Sequence, residues 1–153
     1  MDSDELEIIF GGASGWFRFS LVERMFPNAK DPWDQDQIAT YVLAGASQFQ
    51  GRLLTNIGSH ELVRLDQLLD ELYQHVGQEQ TVQFQLNESM IDINIRMDRQ
   101  GRISMEVDVT AASYPTDAHF LVTIEADQSY LPGWRSQIQR TLKYFPSMID
   151  KQP

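Results

Sequence analysis

Two runs of alternating side chains constrain this chain more than any other feature. Ile91, Ile93, Ile95 and Met97 alternate with Asp92, Asn94 and Arg96, and after Arg99-Gln100-Gly101 the alternation resumes with Ile103, Met105, Val107 and Val109. A period of two means strands with one apolar and one polar face, and the short loop between them sets their register. With Gly101 in the left-handed position, a three-residue loop pairs Asp98 with Arg102, Met97 with Ile103 and Ile95 with Met105, so every apolar pair falls on one face. A two-residue loop would set apolar side chains against polar ones and is rejected. The same register puts Asp92 directly across from Asp108 on the solvent side, a like-charge pairing that costs about 0.2–1 kcal/mol. Stability gives no reason for it.

The rest of the chain has to cover the apolar side of that hairpin. Leu6, Ile8 and Phe10 alternate before Gly11-Gly12-Ala13-Ser14-Gly15, where glycines that tolerate positive φ suit a hairpin turn. Phe17, Phe19 and Leu21 then share one face of a strand ending near Pro27. The segment Pro27 to Asp36 holds two prolines and three aspartates and reads as a loop. Two more strands, about Ile38 to Ala44 and Gln48 to Thr55, flank Gly45-Ala46-Ser47, with Gly51 a candidate bulge.

At Ser59 the period changes from two to that of a helix. Leu62, Leu65, Leu69, Leu72 and Val76 form one stripe, with Ser59 as N-cap, Glu61 in the first turn and Gly77 beyond the last. Arg64, Asp66, Asp70, Glu71 and Gln74 face away, which suits a helix lying on a sheet. A strand over about His119 to Ala126 turns Phe120, Val122 and Ile124 inward. In the final segment Pro132 opens a helix with the stripe Trp134, Ile138, Leu142 and Phe145, and Arg140 and Lys143 complement its C-terminus before Pro146. These elements predict an α+β domain over residues 1–153, a mostly antiparallel twisted sheet of about seven to nine strands with two helices packed on it. A β-sandwich is the alternative.

Charge narrows the function. Twelve Lys and Arg against 22 Asp and Glu leave a net charge of -10, which argues against a grip on nucleic-acid phosphates and for a basic partner. Between Ile103 and Trp134 there is no Lys or Arg, although Glu106, Asp108, Asp117, Glu125 and Asp127 lie there. No run approaches the roughly 20 apolar residues needed to span a bilayer, and Met1 to Glu7 carries four carboxylates, so neither a membrane segment nor a classical signal peptide is expected. With no cysteine, nothing points to an oxidising compartment, and the cytoplasm is the expected location.

The patterns that carry catalysis are missing. His60, His75 and His119 occur in no metal-ligand spacing, and no G-x-S-x-G elbow or phosphate loop is present. Some pair of carboxylates will always lie close among 22 acids, so proximity alone is no argument for a glycosidase. The reading is therefore a protein that is not an enzyme and needs no cofactor or metal. Two patches are candidates for partner binding: the acidic hairpin face of Asp92, Glu106, Asp108 and Glu125, and the loop residues Asp31, Trp33 and Asp34, where the indole either anchors the loop or presents a hot spot.

The ordered series Phe17 to Arg24, Phe26-Pro27, Asp31-Pro32-Trp33-Asp34, Phe49-Gln50-Gly51, Glu61-Leu62, Leu69 to Tyr73, Asp127 to Pro132 and Phe145-Pro146 resembles the WapI-type immunity proteins of bacterial polymorphic toxin systems. The resemblance covers nearly the whole chain. Pro32, Gln35, Asp36 and Gln37 depart from the family's loop pattern, so that loop's contacts are expected to differ. The resemblance implies a small cytoplasmic protein that binds and neutralises the toxic C-terminal domain of a cognate secreted effector, often a nuclease, without catalysing anything. A basic toxin cleft would suit the acidic face, through steering and complementary potential. The rival is a carbohydrate or small-ligand binding module in which Trp16, Trp33 and Trp134 serve as stacking platforms.

Overall fold

The computed structural model describes residues 6–12, 14–86, 90–113 and 116–149, and over 111–118 the backbone alone. Ala13, residues 1–5 and the side chain of Asp117, which the sequence reading used, lie outside the described residues.

The first half is a meander of β1 (Leu6–Gly11), β2 (Trp16–Arg24), β3 (Gln37–Ala46) and β4 (Phe49–Gly58), with a short helix α1 (Pro32–Gln35) between β2 and β3. Helix α2 (Ser59–Gln74) leads to a second meander, β5 (Gln80–Leu86), β6 (Ile91–Met97), β7 (Arg102–Ser113) and β8 (Thr116–Asp127), and helix α3 (Leu131–Tyr144) follows. Among the described residues, eight antiparallel strands and two long helices give the expected α+β fold. The strands divide into two sheets of four, ordered β1-β2-β3-β4 and β5-β6-β7-β8. The cause is α2: its sixteen residues separate β4 from β5 by about 24 Å of helix, too far for a hairpin.

The hairpin register is the one that alternation dictates. Ile95 pairs with Met105, Met97 with Ile103 and Asp92 with Asp108. The loop closes with the Asp98 N–H donating to the Arg102 carbonyl at 3.0 Å, and Gly101 takes φ +83°. Strand β5 is one the sequence reading passes over. Val82, Phe84 and Leu86 point inward between Thr81, Gln83 and Gln85, but repeated glutamines carry little strand propensity and β6 supplies the partner.

Ile8, Phe10, Phe17, Phe19, Phe84, Ile93 and Val107 from the two sheets, with Leu65, Leu69, Trp134 and Ile138 from the helices, form one buried cluster. Phe10 packs edge-on to Trp134 with ring centroids 5.3 Å apart, joining β1 to α3. Helix α3 also protects the open edge of β1, since the Gln137 amide accepts from the Ile9 N–H at 2.8 Å and donates to the Ile9 carbonyl at 3.1 Å. Arg135 ties α3 to α2 through Asp66 at 3.0 Å and Asp70 at 2.8 Å, and the hydrogen bond to Asp66 raises the guanidinium pKa above its usual value.

Four local expectations are corrected. Gly51 pairs regularly with Ala44 and is not a bulge. The irregularity lies in β2, where Val22 is the extra residue between Leu21 and Glu23. Gly11, Gly12 and Gly15 do not take positive φ. Two of them are small for another reason: a Cβ on Gly12 would stand 2.2 Å from the Glu125 carbonyl oxygen, and one on Gly15 2.7 Å from that of Thr123, so the β1–β2 turn lies against β8. Within the Pro27 to Asp36 loop, Asp31 caps the single turn of α1 by accepting from the Trp33 N–H at 2.9 Å. Ser59 does not cap α2: the N-cap is Gly58, whose N–H donates to Glu61, and the free N–H groups of Ser59 and His60 are taken by the carbonyl and carboxylate of Asp36, a residue distant in sequence.

Candidate functional site

The outward side chains of the second sheet form cross-strand rows. One runs Gln85, Asp92, Asp108, Leu121, the next Gln83, Asn94, Glu106, Thr123, and a third Arg96, Ser104, Glu125. The structure thus brings Asp92, Glu106, Asp108 and Glu125 together on one face, because period-two strands in this register leave them no other side. Glu106 and Glu125 are exposed and have no ion-pair partner among the described residues. Asp92 accepts from the Gln83 amide at 3.2 Å, and Asp108 Oδ1 lies 3.2 Å from His119 Nδ1. Of the cations on this face, Arg96 sits opposite Ser104, and Arg102 lies 3.8 Å from Asp98 at the hairpin end. The carboxylate charge of the central rows is left largely uncompensated.

Asp31, Trp33 and Asp34 lie elsewhere, between β2 and β3 of the first sheet. Trp33 is 55% exposed, and among the described residues the one ring it meets is that of His60, edge to face with centroids 5.0 Å apart, so it is not what anchors the loop. The anchor is Asp36, which is completely buried. Its Oδ2 accepts from the His60 N–H at 2.8 Å and lies 2.7 Å from His60 Nδ1, while Oδ1 accepts from the Met148 N–H at 2.7 Å. Its carbonyl accepts from the Ser59 N–H at 3.1 Å and from Arg24 Nη1 at 2.7 Å. Arg24 donates further to Ser59 Oγ and to the Pro146 carbonyl. Burial lowers the Arg24 pKa from its ordinary value, and the charge of Asp36 works against that shift.

One carboxylate therefore caps α2, fixes the α1 loop and holds the segment after α3. Sequence reading finds Asp36 only as one of several loop aspartates. The available signal is positional: it is the last residue before β3, where a side chain begins to turn inward.

The tryptophans do not make a platform. Trp134 is in the core, Trp16 covers Gly45, and Trp33 alone is well exposed. Among the described residues no group of three or more His, Asp or Glu side chains could hold a metal ion, and no helix is long and apolar enough to cross a membrane.

Comparison with known proteins gives a family. No curated protein matches the chain. A crystal structure described as a protein with unknown function from the DUF155 family of Prochlorococcus sp. NATL2A aligns over 86% of this chain and 98% of its own, at 12% identity and a TM-score of 0.35, a likeness too weak to argue from. The sequence model of the immunity protein WapI-like family matches residues 8–146, which takes in nearly all of both sheets, both long helices, and Asp36 with all of its partners but Met148. The chain belongs to the immunity protein WapI-like family.

Proposed function

We propose that this protein is a non-catalytic inhibitor, which binds the toxic C-terminal domain of a cognate secreted effector and neutralises it through the acidic outer face of the second sheet. Membership of an immunity protein family supports a toxin-neutralising role. The observation that carries the choice of surface is the Asp92–Asp108 pair. Two carboxylates directly opposed on an exposed face lower stability slightly, with Glu106 and Glu125 in neighbouring rows adding to the same potential. A basic toxin domain would compensate that potential on binding, gaining association rate and selectivity from it. Inhibition by occupying a basic cleft needs no reactive group. The cytoplasm is the compartment in which such an inhibitor would protect its own cell.

Cells carrying the toxin domain encoded beside this gene provide the test. Co-expression of the parent chain is expected to restore growth, and a variant with Asp92, Glu106, Asp108 and Glu125 all changed to Lys is expected to fail while remaining folded. Protection by the reversed variant equal to that of the parent contradicts the choice of surface. Absence of protection by the parent contradicts the inhibitor reading.

A further inference from the structure

We propose that the open end of the space between the two sheets is a socket for one apolar side chain of the toxin, carried on a segment whose Lys or Arg residues then run across the acidic face. The proposal rests on the immunity reading above and adds the anchor. Val42 and Ala44 of β3, Leu53 of β4, Val109 of β7 and Phe120 of β8 line a pocket of about 190 Å³ that opens to solvent. A space of roughly this size is large enough for a benzene-sized guest. A phenylalanine, leucine or methionine side chain is a guest of that kind.

The local sequence keeps this space open. Gly51 lines it, and the Phe120 ring lies across Gly51, so that a Cβ there would stand 3.2 Å from the ring. Ala44 is the only side chain between Val42 and Ala46 on the inward face of β3. A larger residue at either place would close the socket.

The rim selects the partner's charge. His119 borders the cavity on the β8 side, and its Nδ1 lies 3.2 Å from Asp108, which faces Asp92 across the strands. Leu121, two residues further along β8, is 65% exposed and opposite Asp108 in register. Arg52 borders the opposite side, with its guanidinium stacked 4.2 Å above the Tyr41 ring. The mouth is therefore negative towards the second sheet and positive towards the first. A segment seated in the socket would lay cations over Asp108, Asp92 and Glu106, and avoid Arg52. An apolar anchor in a pocket, ringed by charges that set direction, is the usual anatomy of an interface hot spot.

Three short capped peptides serve as probes: arginines flanking a central phenylalanine, the same with alanine at the centre, and the phenylalanine peptide flanked by glutamates. Methyl NMR of the parent chain should show Val42, Leu53 and Val109 signals moving with the first peptide, which should bind at least about tenfold more tightly than the alanine peptide. Unmoved methyl signals, equal binding of the first two peptides, or binding of the glutamate peptide as tight as the first would each overturn the socket. With the toxin domain, Leu53→Trp fills the cavity and should weaken neutralisation at least about tenfold. If that variant keeps a native melting profile and neutralises as well as the parent, the socket is wrong and the immunity reading stands. If the parent itself does not neutralise, the immunity reading is wrong, and the peptides alone decide the socket, as they do if Leu53→Trp misfolds.

Discussion

Asp36, at the end of the first sheet, and Asp108, on the outer face of the second, are both aspartates beside a histidine. His60 Nδ1 lies 2.7 Å from Asp36, and His119 Nδ1 lies 3.2 Å from Asp108. What surrounds them differs. Asp36 is completely buried and surrounded by donors on α2 and the C-terminal segment. Asp108 is solvated and faces another carboxylate. A buried carboxylate must have its lone pairs satisfied, so its neighbourhood evolves around the fold. An exposed carboxylate opposed by its like contributes nothing to the fold, and is free to serve recognition.

Substitutions should separate the two sites. The largest effect belongs to Asp36→Ala, which leaves the buried N–H groups of His60 and Met148 without their acceptor and removes the charge beside Arg24, whose hydrogen bonds to the residue 36 carbonyl, Ser59 and Pro146 remain. It should cost about 3–5 kcal/mol in urea unfolding, and protease should then cut first after α3. A loss under about 1 kcal/mol would show that Asp36 is not the keystone and blur the contrast with Asp108. Trp134→Ala should cost about 3–5 kcal/mol, separating ordinary core loss from loss of the carboxylate node, because only Asp36→Ala should release the segment after Tyr144. Asp108→Asn should leave stability unchanged or raise it by about 0.2–1 kcal/mol, by removing a like-charge pair. A clear loss would mean that Asp108 is structural after all.

The smallest effect concerns Asp127, whose carboxylate accepts from the Ser129 hydroxyl and N–H and is thereby held below its ordinary pKa of 3.8. A group lowered in the folded state adds stability above its unfolded value and loses it as pH falls through the folded one. Asp127→Asn should therefore differ slightly from the parent near neutrality, and the difference should vanish in strong acid. Urea midpoints measured along that descent check the sign.

The same contrast explains what was legible in the sequence. Ile91 to Val109 could be read down to the register, since alternation and a glycine at the loop leave one consistent pairing. Asp92, Glu106 and Asp108 followed from it, and Glu125 from the alternation of the His119 to Ala126 strand. The helices were equally readable, because Leu62, Leu65, Leu69 and Leu72 repeat at one period. The Asp36 node was not: its partners Arg24, Ser59, His60 and Met148 come from three places in the chain, and no spacing rule joins them. Gly51 misled for a similar reason. Its lack of a side chain answers to Phe120 on the other sheet, not to its own strand. Trp33 held two readings open, and only its exposure shows that the loop is anchored by another residue.

On the function proposed above, the outward acids of the second sheet are an instrument of recognition. The direct measurement is the association rate constant of the toxin domain with the parent chain and with the variant carrying Lys at 92, 106, 108 and 125, at low and at high salt. The parent should associate at least about tenfold faster than the variant at low salt and lose that advantage as salt is raised. Equal rates at low salt, with both proteins folded, would contradict it.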